Sequence, residues 1–349
     1  MLPQETFQRI DIMRFPLIVG VVFAHAYPGT SNNIITVFVY NLICNGLVRI
    51  AVPLLFLISG YLFFINFDLS KQTYWKKIQA RTGSLFIPFL IWNCATLLIF
   101  ALAQTIPATR IYFSGVNAPI SSYGLFDYFN AILGLDRMPI AMQFWFIRDL
   151  MLLVLLTPVI QFLNRYVPLL FLMTLYICWM LGYWPVHIPA VEPVFFFSAG
   201  AFLGSRKYNI FALDKYGILM ISIYVPTLLF TSLFVENPLA PYLHRIGIML
   251  GIISAMYLSK QLVTYPQSKN KFLELSAISF FVFATHEPVQ LIMRKLVYRI
   301  LMPESWLLEL ALYFIIPTCI IFFLVSAYNF LGNVAPNILR IITGKRAKS

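Results

Sequence analysis

Charged side chains make up only 11% of this chain of 349 residues, against about 25% in an ordinary soluble domain. That shortage excludes a soluble globular fold. Cysteine is sparse too: Cys44, Cys94, Cys178 and Cys319 lie scattered in apolar segments, with no Cys-x-x-Cys pair among them. They read as small core residues, with no disulfide or thiolate-metal framework. No carboxylate–histidine cluster has metal-ligand spacing along the sequence, so no metal is expected. Gly-x-Ser-x-Gly is absent, which leaves no sign of a serine nucleophile elbow. There is no internal repeat, no low-complexity tract and no inverted pair of broken helices; the last absence counts against a secondary transporter.

What is present is apolar. Hydrophobic residues are 60% and aromatics 17% of the chain, and mean hydropathy is +0.82. Runs long enough to cross a bilayer fall near 13–28, 47–65, 85–105, 143–164, 167–184, 191–205, 216–235, 244–263, 276–293 and 305–332. The expectation is an all-α integral membrane protein of about ten transmembrane helices, built as a single domain over 1–349. The run at 191–205 is short, and 36–46 reads as an interfacial or re-entrant piece leading into the second span. The longest connection, about 106–142, carries Pro107, Pro119 and Pro139 and an amphipathic stretch Tyr123–Leu135; a loop of that length suggests a lid or binding loop.

An even number of spans puts both termini on one side. With the N-terminus inside, 17 of the 25 basic residues fall on inner segments, among them Lys71, Lys76, Lys77, Arg81 and the tail Arg340, Lys345, Arg346 and Lys348. That asymmetry puts both termini in the cytoplasm. It also accounts for the net charge of +12 without nucleic acid as a partner. Ala24-His25-Ala26 could pass for a signal-peptidase site, but the mixed charge before it and a histidine at the cut favour a retained first span.

The first span is Arg9-Ile-Asp11-Ile-Met-Arg14 through His25, apolar between its charged start and its histidine. Eleven helical steps return Arg14 and His25 to within about 20° of one face and separate them by roughly 16 Å. Asp11 lies one turn before Arg14 and can pair with it. Titratable groups at such depth are functional candidates. Histidine also has the near-neutral pKa that a general base needs; packing against a neighbouring helix through a hydrogen bond is the plainer alternative.

Arg14-x10-His25, with Asp11 three positions before the arginine, resembles the first span of the membrane acyltransferase family 3. The likeness continues in Pro53–Tyr61 with its Ser59-Gly60 pair, in Phe144-Trp145-Phe146, in the glycine-containing Phe195–Gly204 and in His286-Glu287-Pro288. It spans roughly 7–330. One departure stands out: where the family has Arg-x-x-Arg before the third span, this chain has Arg81-Thr-Gly-Ser84.

The resemblance implies an O-acyltransferase of the inner membrane. It would move an acyl group, most often acetyl, from cytoplasmic acyl-coenzyme A to a hydroxyl of a surface or lipid-linked polysaccharide sugar. On that reading His25 is the general base and Arg14, with Asp11, orients it and binds the donor. Arg14, Lys76, Lys77 and Arg81 would cradle the coenzyme phosphates, although the three residues after Arg14 are also what the positive-inside rule places there. Trp145, Arg148 and Asp149 would contact the sugar, or form an interfacial aromatic belt with a structural ion pair. His286 and Glu287 would hydrogen-bond the acceptor or support His25, or join two helices. Ser59-Gly60 reads as a small-residue packing face. An exporter or transporter that moves a polysaccharide or lipid without covalent change is the competing reading, and a structural subunit of a synthesis complex is a third.

Overall fold

In lipid an apolar run can satisfy its backbone groups only as a helix or a closed barrel. This chain takes the first solution. A computed structural model describes residues 4–26, 31, 33–65, 67, 70–113 and 119–344, and the described residues contain no strand. In chain order the helices are α1 (Gln4–Ala24), α2 (Ile34–Tyr40), α3 (Ala51–Phe64), α4 (Lys71–Arg81), α5 (Ile87–Thr105), α6 (Pro107–Phe113), α7 (Leu125–Leu133) and α8 (Trp145–Leu155). They continue as α9 (Thr157–Tyr166), α10 (Pro168–Leu181), α11 (Val191–Ser205), α12 (Gly217–Leu233), α13 (Ala240–Thr264), α14 (Pro266–Leu301), α15 (Trp306–Val334) and α16 (Pro336–Ile342).

Among the described residues, each of the ten expected apolar runs is helical over most of its length. Six helical stretches, Ile34–Phe64, Lys71–Thr105, Ala212–Leu233, Ala240–Thr264, Pro266–Leu301 and Trp306–Val334, are each long and apolar enough to cross a membrane. A seventh results if α8 and α9 count together, although they bend by 61°. Pro158 causes the bend: it has no N–H for the Val154 carbonyl, which accepts the Thr157 hydroxyl instead at 2.8 Å. Helices α10 and α11 have only 14 and 15 residues. At 21 residues α1 is long enough, but Glu5, Arg9, Asp11 and Arg14 make its first half too polar for an ordinary lipid-facing span.

The piece at 36–46 is not a separate re-entrant segment. Asn33 caps α2 by accepting from the Ile35 and Thr36 amides. The chain then winds through a π-helical stretch at Asn41–Gly46 and a tight turn at Leu47–Ile50 into α3 without a break. The connection at 106–142 is largely folded, with α7 capped by Asp127 on the Gly124 amide at 2.9 Å and closed by Gly134 in the left-handed region. Residues 114–118 of that connection, and the expected inner-side charges Lys345, Arg346 and Lys348, lie outside the described residues.

Two seams build the interior. Helices α3 and α11 make the most extensive contact, and glycine is what lets them meet. A Cβ on Gly60 would sit 2.1 Å from the Phe197 carbonyl oxygen, and one on Gly200 would sit 2.0 Å from that of Leu57. Of the expected small-residue face at Ser59-Gly60, Gly60 stands at this seam. In the second seam α1 packs along α14, with α13 and α3 beside it. Arg9 fixes the start of α1. It is buried, forks onto Asp214 at 2.7 and 3.1 Å, donates to Ser259 Oγ and the Met256 carbonyl, and lies 3.6 Å over the Phe211 ring. The buried charge of α1 thus finds its partners inside the protein.

Candidate active site

His25 directly follows the last residue of α1, where helix carbonyls run out of partners. Helix α14 supplies them. Gln290 Nε2 donates to the Val22 carbonyl at 3.1 Å, and Arg294 Nη1 donates to that of His25 at 2.7 Å. On the same face of α14, at helical spacing, stand Phe283, His286, Glu287, Gln290 and Arg294. His25 Nδ1 lies 3.2 Å from Glu287 Oε2, with side chains 23% and 14% exposed. The His286 ring meets that of His25 edge to face, with centroids 5.3 Å apart. His286 is wholly buried, its Nδ1 is 2.8 Å from the Phe283 carbonyl, and its Nε2 has no hydrogen-bond partner among the described residues.

The His-Glu-Pro segment is pinned from outside the helix. Pro288 has no N–H to give the Ala284 carbonyl, so that oxygen is left over in a dry interior. The buried Gln143 takes it, donating Nε2 at 2.9 Å. This bond holds the histidine-bearing turn of α14 against the segment that leads into α8.

Donor atoms of His25, His286 and Glu287 lie within 4.8 Å of one another. Two imidazoles and a carboxylate are also a donor set that a zinc-type ion accepts. Spacing along the chain gave no hint of such a cluster, because one member comes from α1 and two from α14. The direct His25–Glu287 contact already has hydrogen-bond length, so the three side chains form a connected group without an ion.

A cavity of about 230 Å³ lies between α1, α3, α8 and α14. Arg14 and Arg81 stand at one end, Ile18, Ser59 and Ser279 along its walls, and Phe146 and Phe283 at the other end. Phe283 is one helical turn from His286. Arg14 also holds Asp11 at 2.7 Å, with both side chains about two-fifths exposed. The expected first-span pair therefore separates as the helix geometry predicts, Arg14 in the cavity and His25 beyond its far end.

The other expected residues are elsewhere. Lys76 is exposed on α4. Lys77 donates to the Phe63 carbonyl at the end of α3 and lies 4.8 Å over the Phe63 ring. Of the basic cradle, only Arg14 and Arg81 line the cavity. The side-chain groups of Arg148 and Asp149 are engaged by the fold: Arg148 Nε donates to Asp149 Oδ1 at 2.9 Å, and Nη1 to the Gly134 and Arg137 carbonyls at 2.6 and 3.2 Å. Asp149 Oδ2 accepts the Ala190 amide at 3.3 Å. These bonds give the pair a structural part in the fold. Trp145 packs on Phe56, 6.5 Å between centroids, while its neighbour Phe146 lines the cavity. Sequence reasoning missed Gln143, Gln290 and Arg294. The last two stand four and eight residues after His286, a spacing that could have found them; nothing local marks Gln143.

A family model described as an acyltransferase domain matches residues 7–330. The chain belongs to the acyltransferase 3 family. Over 359 aligned positions it is 27% identical to the succinoglycan biosynthesis protein ExoH of Rhizobium meliloti (strain 1021), covering 97% of this chain and 92% of that relative. No solved structure matches it. With its apolar helices, the chain is a multi-pass membrane acyltransferase.

Proposed function

We propose that this protein is an inner-membrane O-acyltransferase that carries an acyl group, acetyl in the simplest case, from cytoplasmic acyl-coenzyme A to a hydroxyl of a surface or lipid-linked polysaccharide sugar. The observation that carries the reading is the His25–Glu287 contact of 3.2 Å at the end of a helix whose other charged group, Arg14, lines a cavity with Arg81. The similar protein from Rhizobium meliloti is named for the biosynthesis of a polysaccharide, succinoglycan, which favours a glycan acceptor. A cytoplasmic N-terminus, which the bias of the basic residues favours, would put Arg14 on the side where the coenzyme is made.

In this mechanism His25 Nδ1–H donates to the Glu287 carboxylate, which leaves Nε2 as the basic nitrogen. A sugar hydroxyl attacks the thioester carbonyl as Nε2 takes its proton; the new C–O bond forms, the C–S bond breaks, and the proton passes from the imidazolium to the departing thiolate. Glu287 stabilises the imidazolium while it exists. Arg14 and Arg81 offer two guanidiniums to the phosphates of the donor. Gln290 and Arg294 hold the base in place through the α1 carbonyls. No step requires a metal.

The test uses membranes containing the protein, radiolabelled acetyl-coenzyme A and the host glycan fraction. Wild type should label the glycan, and His25→Ala at equal expression should lose about 10²–10⁴-fold of the rate, the usual worth of a general base. Chelator treatment should change nothing; loss on chelation with recovery on added zinc would replace the base by a metal centre. Export that stops in His25→Ala while no label ever moves in wild type would instead establish the transporter.

A further inference from the structure

Among the described residues, the lining of the donor cavity includes none of His25, His286 and Glu287. The cavity ends at Phe146, Phe280 and Phe283. Phe283 is buried at the centre of a ring cluster, with centroids 5.5 Å from Phe144, 6.0 Å from Phe146, 6.1 Å from Phe280 and 6.3 Å from His286. Its ring therefore stands between the space lined by Arg14 and the turn that carries His286 and Glu287. On the far side His25 and Glu287 keep 23% and 14% of their side-chain surface accessible.

We infer that Phe283 is a barrier that selects the acceptor hydroxyl over water. The inference rests on the proposed acyl-coenzyme A donor and deepens it. A thioester beside a general base in a wet site is open to hydrolysis. Water would add to the carbonyl, its proton going to His25; C–O would form, C–S would break, and free acid and coenzyme thiol would leave. An aromatic wall holds the thioester on the Arg14 side apart from His25 and from the water it would activate until the ring turns aside for transfer, a gating task that lids perform in soluble enzymes. The wall is well supported for that role. Gln143 pins the backbone one residue beyond Phe283, and the Phe283 carbonyl receives His286 Nδ1, so movement is confined to the side chain.

The experiment measures thiol release from acetyl-coenzyme A with and without glycan acceptor, using full-length protein in membranes. Wild type should release thiol only when acceptor is present. Phe283→Ala should raise acceptor-independent release at least about tenfold, so that hydrolysis competes with transfer, and Phe283→Leu should fall between the two. Adding His25→Ala to Phe283→Ala should abolish the leak, which places it in the same site. Should Phe283→Ala fail to accumulate, Phe146→Ala opens the same wall from α8 and carries the same expectation. The inference is overturned if wild type transfers acetyl while the folded wall variants release no more thiol than wild type without acceptor. It is also overturned if the leak persists without His25. If wild type transfers from no acyl-coenzyme A, the parent reading of the donor fails instead, a result visible before any variant is made.

Discussion

Two arginine–aspartate pairs of nearly identical length occupy opposite situations in this protein. Arg14 and Asp11 meet at 2.7 Å with side chains 41% and 39% exposed; Arg148 and Asp149 meet at 2.9 Å with side chains 10% and 1% exposed. The second pair is tied into the fold, since three backbone groups from two loops bind it. The first has spare donors, and they face a cavity. Pairing alone does not separate a structural charge from a functional one. The number of backbone partners does, because a guanidinium already committed to carbonyls has little left for a ligand.

Arg148 should give the largest effect in any test of this contrast. Arg148→Ala leaves the Asp149 carboxylate buried without its cation, a change that costs about 3–5 kcal/mol. The expected result is a thermal transition in detergent lowered by about 10 °C and poor accumulation in membranes. Replacing both partners together, Arg148→Met with Asp149→Leu, should recover much of the loss, because no orphaned charge remains. A fully folded Arg148→Ala with a raised KM for the glycan would restore the sugar-binding role and break the comparison.

Arg14 should behave in the opposite way. Arg14→Gln removes one half of an exposed pair, whose own contribution to stability is small, so the thermal transition should stay within about 2 °C of wild type. The KM for the acyl donor should rise about tenfold, the worth of one charge-assisted contact of about 1.4 kcal/mol, with kcat nearly kept. A fall in kcat at constant KM would move Arg14 from donor binding to the chemistry itself.

Why the sequence distinguished some of these roles and not others follows from where the partners come from. Helical periodicity along α1 placed Arg14 and His25 on one face and made Asp11 a partner for Arg14; all three statements concern neighbours within a turn or a fixed rise. Apolar runs gave the helices, with ends displaced mainly where polar turns extend them, as in α14 from 266 to 301. Contacts between distant segments were illegible. Glu287 pairs with His25 across 262 positions, and no local pattern says which of two adjacent polar residues on α14 faces α1. Sequence left Arg148 open between a sugar contact and a structural ion pair, because its carbonyl partners belong to a loop whose course sequence does not fix. The piece at 36–46, expected as interfacial or re-entrant, does lead into the second span, but as one continuous helical stretch whose Asn41 and Asn45 sit on a π-wound turn.

The smallest expected effects come from the two lysines of α4, and they test whether a positive cluster near the donor cavity is a phosphate cradle or an orientation signal. Lys77 is committed, like Arg148, to a carbonyl at a helix end and to aromatic faces; Lys76 is exposed and lines no part of the cavity. Lys77→Ala should therefore lower stability by about 1 kcal/mol, the worth of one capping hydrogen bond, and leave the donor KM alone. Lys76→Ala should change neither. Both outcomes would confine donor recognition to Arg14 and Arg81, two guanidiniums that bind phosphate through a fixed fork. A threefold or greater rise in donor KM on loss of Lys76 would mean that the coenzyme extends beyond the cavity onto the face of α4, where a flexible ammonium takes over the part of the family's second arginine, replaced here by Ser84.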